Sequence, residues 1–132
     1  MKNLEIYDKE VFKNRQLSVE KLKEVFLEYQ ARIAEAEQDA RATGLTGDDL
    51  ADKFFNNVDE QAILSFETDS KQVQLLLGRV HIFDDETETS EFEACYTIEE
   101  RNLDEELEDM EDFEEGQEEA LIQALKNLGY QE

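Results

Sequence analysis

Glu99 to Glu115 reads EERNLDEELEDMEDFEE, a run in which only Arg101 is basic. Whether it is a tail or a helix settles the architecture of the C-terminal half. Apolar residues recur inside it: Leu103, Leu107, Met110 and then Phe113 or Glu114 step by three to four, the spacing of one helical stripe. A solvating tail has no use for such a stripe. Two capping boxes are available at its start, Thr97 with Glu100 and Asn102 with Glu105. The spacing predicts an amphipathic helix to about Glu115, broken by Gly116, with an almost purely anionic wet side. Its cost is repulsion, a few tenths of a kcal/mol for each like pair three or four positions apart.

Working outward, Asp84 to Glu119 holds 19 acids and one base. From Glu99 to Glu119 the net charge is −12 over 21 residues. At about 1.5 Å rise per residue a helix would present one charge per about 2.6 Å. B-DNA presents one per about 1.7 Å of axis over both strands and per about 3.4 Å on one. The density falls between, so a site built to hold phosphates could accept this surface.

The whole chain carries 36 acids against 13 bases, net −23 over 132 residues. Such a charge repels nucleic acid and anionic membranes and selects basic partners. It is unevenly placed: Met1 to Phe83 is near neutral at −5, and Asp84 to Glu132 carries −18. A salt-adapted protein would be acidic throughout. Residues 1–132 are expected to form one domain with a modest core. Cys95 is the only cysteine, which rules out an internal disulfide. No leader or long apolar run is visible, so the expected location is cytoplasmic.

Met1 to Gln16 is ambiguous between a short strand and a helical lead-in. Ser18 then caps a helix, with Leu17 and Leu22 as a hydrophobic staple and Leu22, Val25, Phe26, Tyr29, Ile33 and Ala36 in helical period to about Ala42. Gly44 stops it. Thr46 begins a second helix to Asn57, with Asp48 and Asp49 at its positive end. The period then changes to two. Gln61 to Glu67 and Gln72 to Phe83 read as strands around a Thr68–Lys71 turn, with a phase slip at Gly78 that suggests a β-bulge. Asp84 to Ser90 reads as a loop. Glu91 to Ile98 alternates with Phe92, Ala94, Tyr96 and Ile98 inward and Glu91, Glu93, Cys95 and Thr97 outward. A last helix is expected from Gln117 to Leu128, ended by Gly129. The expected fold is α+β: a three-stranded antiparallel meander packed with N-terminal helices and two C-terminal helices.

Little points to catalysis. Cys95 and His81 could meet across adjacent strands as a nucleophile and base. The negative field around Cys95 opposes a thiolate, and a passive strand cysteine is the simpler reading. Carboxylate pairs abound, with no tryptophan to stack a sugar beside them. Asp84-Asp85-Glu86-Thr87-Glu88 lacks the glycine and alternating spacing of an EF-hand loop. No phosphate-binding loop, HExxH or CxxC occurs, so no cofactor or metal is expected and the protein is read as a non-enzyme. Tyr7, Phe12, Phe55 and Tyr130 are aromatics that an interface could use, with packing their ordinary role.

The candidate partner-binding residues are therefore the acids themselves. Asp84, Asp85, Glu86 and Glu88 lie on the loop, and Glu91 and Glu93 on the outer strand face. Asp104, Glu105, Glu108, Asp109, Glu111, Asp112 and Glu115 lie on the expected helix. In size, composition and expected order of elements, the acidic run and the strands before it resemble phage-encoded acidic inhibitors. These include anti-restriction proteins and the anti-CRISPR proteins that block Cas9 at its DNA-binding, PAM-reading site. The resemblance implies a nucleic-acid mimic whose partner is the Arg/Lys-rich groove of a nucleic-acid-binding protein, such as a Cas effector or a restriction enzyme. It rests on no shared motif, and no residue role is carried over. The alternative is an acidic adaptor or chaperone-like module that grips a basic protein without imitating nucleic acid.

Overall fold

The computed structural model describes residues 1–104 and 108–132. The chain opens with strand β1 (Lys2–Ile6) and a single 3-10 turn at Lys9–Val11. A small ribbon follows, β2 (Phe12–Lys13) against β3 (Gln16–Leu17). Its two turn residues, Asn14 and Arg15, both have positive φ (54° and 67°). That is the type I′ hairpin geometry that suits the strand twist.

Helix α1 (Val19–Arg41) starts where Ser18, extended at φ −112°, accepts the Lys21 N–H on its hydroxyl at 3.3 Å. Leu22, Val25, Phe26, Tyr29, Ile33, Ala36 and Ala40 form its buried stripe. Helix α2 (Gly47–Asn57) buries Leu50, Ala51 and Phe54. Strands β4 (Gln61–Glu67), β5 (Lys71–Asp84), β6 (Thr89–Asn102) and β7 (Glu108–Phe113) follow, and helix α3 (Glu118–Asn127) closes the fold.

The sheet has five strands in the order β1-β4-β5-β6-β7, each antiparallel to its neighbour, in place of the expected three. One face packs on the helices. There Phe26 meets Tyr96 at 4.7 Å between ring centroids and Phe54 stacks on Phe92 at 4.1 Å. Leu64, Phe66, Val73, Leu75, Leu77 and Ile98 fill the space between. Each such side chain, fully buried, contributes about 1.5–3 kcal/mol. Leu76 and Cys95 are buried on the opposite face, outside that core.

Further expectations change. The acidic run is not a helix: its first part continues β6 to Asn102 and its last part is the edge strand β7. Of the supposed apolar stripe, Leu103 and Met110 are 47% and 63% exposed, and Phe113 is buried, opposite Tyr96. Leu107 and Glu105 lie outside the described residues. Pairing with β6 and the burial of Phe113 favour the strand, and charge works against the helix. A helix would stack acids on one face at every third and fourth position, whereas a strand throws successive acids to opposite sides. An edge position also leaves them in water. One C-terminal helix therefore stands where two were expected.

The β-bulge is also elsewhere. β5 and β6 pair without a shift from Lys71↔Asn102 to Asp84↔Thr89, straight through Gly78↔Cys95. The irregularity lies in β4, between Ala62 and Leu64. The loop expected from Asp84 to Ser90 shrinks to a tight turn at residues 85–88.

Candidate functional site: a carboxylate-lined sheet face and edge

Strict alternation along β6 sets the site. Glu91, Glu93, Cys95, Thr97, Glu99 and Arg101 share the outer face, away from the helices. Cys95 and Thr97 are buried there beside Gly78 and Leu76. The charge missing at Thr97, though not that at Cys95, is supplied from β7. Thr97 pairs with Asp112, and its hydroxyl donates to an Asp112 oxygen at 2.8 Å. Glu91, Glu93, Asp112 and Glu99 thus make a file of carboxylates, with about 6.6 Å between alternate residues of a strand and an interruption at Cys95.

At one end of this file is the β5–β6 turn. Asp84 closes β5 and accepts the Glu86 N–H at 2.9 Å. Asp85, Glu86 and Glu88 occupy the turn, with Glu88 at φ 53°. At the other end Arg101 crosses to Glu108, with its terminal nitrogen 2.7 Å from the carboxylate. This pair is well exposed on both sides and stabilises the hairpin little. A shallow depression of about 270 Å³ lies there, lined by Gln72, Gln74, Glu99, Glu100, Arg101 and Glu108.

The expected site residues therefore split. Glu91, Glu93, Glu108 and Asp112 share the outer face. Asp109 and Glu111 belong to the helix-side row of β7, where they are exposed, with Asp109 opposite Glu100. Asp104 stands in the turn after β6 and donates its N–H to Asn102 at 3.2 Å. Glu115 is an exposed turn residue before α3. Asp84, Asp85, Glu86 and Glu88 are carried to the far end of β6, roughly 40 Å from Asp104 at about 3.3 Å per strand residue.

Two carboxylates escaped the sequence reading. Glu99 joins the file, and its carboxyl is raised above the ordinary range by burial first, then by Glu60 and Glu108, with Arg101 opposing. Extending the alternation of Glu91 and Glu93 would have found it. Glu100, on the helix side, holds Lys71 at 2.9 Å, and that contact raises the lysine pKa.

The Cys–His pair left open by the sequence does not form. His81 is on the helix side, stacked on Phe92 at 5.0 Å with its Nε2 2.9 Å from the Ser90 hydroxyl. Cys95 is on the other face, with its thiol pKa raised chiefly by burial. Among the described residues no group of three or more His, Cys, Asp or Glu is arranged to hold a metal ion. Among the same residues no helix is long and apolar enough to cross a membrane. No family model, curated protein or solved structure matches the chain.

Proposed function

We propose that this protein is an acidic decoy that occupies the cationic nucleic-acid-binding groove of a bacterial defence nuclease, of the Cas effector or restriction type. The observation that carries the reading is the file Glu91, Glu93, Asp112 and Glu99, fixed on paired strands and continued by the edge strand β7. β7 holds four acids in six residues, about one charge per 5 Å at strand rise. One DNA strand presents a phosphate per about 3.4 Å. Glu99 of β6 lies opposite Met110, across a strand spacing of about 4.8 Å and between the levels of Glu108 and Asp112, and adds to that density. A sheet fixes the backbone beneath these carboxylates, which lowers the ordering cost when they meet arginine forks, and such pairs are charge-assisted.

The test begins with capture of the target from a bacterial lysate, washed in rising salt. Duplex DNA is then competed against this protein for the captured target. A decoy displaces the DNA, and loses the target when the target's phosphate-contacting Arg and Lys are replaced. A ternary complex in which protein and DNA bind together would instead mark an adaptor. Within the decoy reading, Glu91→Gln, Glu93→Gln, Glu99→Gln and Asp112→Asn combined abolish displacement, whereas each alone does little. Full inhibition by the combined variant would show that the surface is misassigned.

A further inference from the structure

The two edges of the sheet differ. At β1 the pairing slips between Lys2 and Glu5, and Asn3 has φ 54°, so its outer row of backbone groups is irregular. β7 is regular: its register with β6 is unbroken from Tyr96↔Phe113 to Arg101↔Glu108, and among the described residues no strand pairs on its other side. Glu108 to Asp112 are exposed throughout. Such an edge offers a row of N–H and C=O groups to another chain.

Charge decides which chain. A second copy of β7 would set acids opposite acids, which is unfavourable for direct cross-strand pairs. An extended segment rich in lysine and arginine meets the reverse condition on both sides. Glu108 and Asp112 face outward, and Asp109 and Glu111 face the helix side. Met110, between Glu108 and Asp112 and 63% exposed, offers an apolar rest for a lysine or arginine stem. We infer that β7 is a docking edge for an extended basic segment of the partner protein, which adds to the sheet as its sixth strand. This mode of recognition takes affinity from main-chain hydrogen bonds and selectivity from alternate side chains. It rests on the reading above only in requiring a cationic partner.

The probe is a synthetic peptide of alternating lysine and threonine, compared with the same peptide N-methylated at every residue. The two have equal charge, and only the first can pair along a strand. Binding to the full chain is measured by calorimetry, and amide hydrogen exchange along β7 by NMR. The expected result is about tenfold or greater slowing of exchange at the outward amides of Glu108–Asp112 with the first peptide. The N-methylated peptide should bind roughly thirtyfold more weakly, the loss of two or three backbone hydrogen bonds. Equal affinities without protection of β7 would overturn the edge-strand inference and leave the cationic-partner reading standing. Protection of β7 that rises with protein concentration alone would overturn it in favour of self-pairing. Failure of both peptides, together with failure to capture any basic target, would remove both.

Discussion

Replacing Tyr96 by phenylalanine deletes one oxygen from the interior and keeps the ring. Tyr96 is fully buried, and its hydroxyl lies 3.1 Å from Glu118 Oε1 and 3.2 Å from the Leu22 carbonyl. It therefore ties β6 to both α1 and the start of α3. Glu118 is also fully buried; its Oε1 accepts the Gly116 N–H at 3.3 Å, and its Oε2 has no partner among the described residues. Without the phenol, a buried carboxyl keeps a single long contact. A net hydrogen bond contributes about 1 kcal/mol, and leaving a buried acceptor short adds about 1–3 kcal/mol. We expect Tyr96→Phe to cost about 2–3 kcal/mol, a large share of a stability of about 5–15 kcal/mol. At this chain length the melting temperature should fall by roughly 6–12 °C. Glu118→Gln keeps an acceptor for Tyr96 and should cost no more than about 1 kcal/mol. The double variant should lose less than the sum by about 1 kcal/mol, the signature of direct contact. Urea unfolding followed by circular dichroism, with an unchanged m-value, measures all three. A loss under about 0.5 kcal/mol for Tyr96→Phe, with additive energies, would refute the buried link.

Other outcomes follow from the same packing. Burial, with Glu60 assisting and Arg79 opposing, pushes the Tyr29 phenol up to about 12, and burial then Glu118 raise Tyr96. The fold thus favours the protonated phenols. Stability should be intact below about pH 10, where a free phenol titrates, and fall as pH climbs towards 12; stepped-pH urea unfolding reads this, and Tyr29→Phe should flatten the slope. Gly78 has ordinary backbone geometry, and an added Cβ meets nothing nearer than 3.5 Å, so Gly78→Ala should gain about 0.5–1 kcal/mol. Gly129, at φ 115° with Thr68 Cγ2 3.0 Å from an added Cβ, should lose about 1–3 kcal/mol as alanine in the same unfolding assay. The Cys95 thiol, buried and raised in pKa, should react with a disulfide reagent at least about a hundredfold more slowly than in the unfolded chain. Asp109→Asn with Glu111→Gln relieves the Asp109–Glu100 opposition and should stabilise by about 0.5–1 kcal/mol at low salt, with the gain fading as salt is added.

What the sequence revealed follows from how local each signal is. The Ser18 cap and the Leu22–Ala36 stripe specify α1 within a single segment, so periodicity suffices. The inward set of Phe92, Tyr96 and Ile98 was legible for the same reason. The acidic run misled because Leu103, Leu107, Met110 and Phe113 mimic a helical stripe by spacing alone. What makes β7 a strand is non-local: pairing with β6, the burial of Phe113 opposite Tyr96, and the Arg101–Glu108 contact. β1 was hidden likewise, since its partner β4 lies about sixty residues on. Glu118 looked like one more acid, and nothing in its neighbours in sequence signals that it is fully buried against Tyr96. For the site, the outward position of Glu91 and Glu93 could be read from alternation. The interposed Asp112, which completes the file between Glu93 and Glu99, could not.

The decoy surface depends on carboxylates held by paired strands, and proton NMR of the free protein tests this most directly. Cross-strand contacts joining Glu99 to Met110 and Thr97 to Asp112, with extended backbone shifts from Glu108 to Phe113, are the predicted result. Helical short-range contacts over that segment, or coil shifts without cross-strand contacts, would contradict it and remove the basis for both the decoy surface and the docking edge.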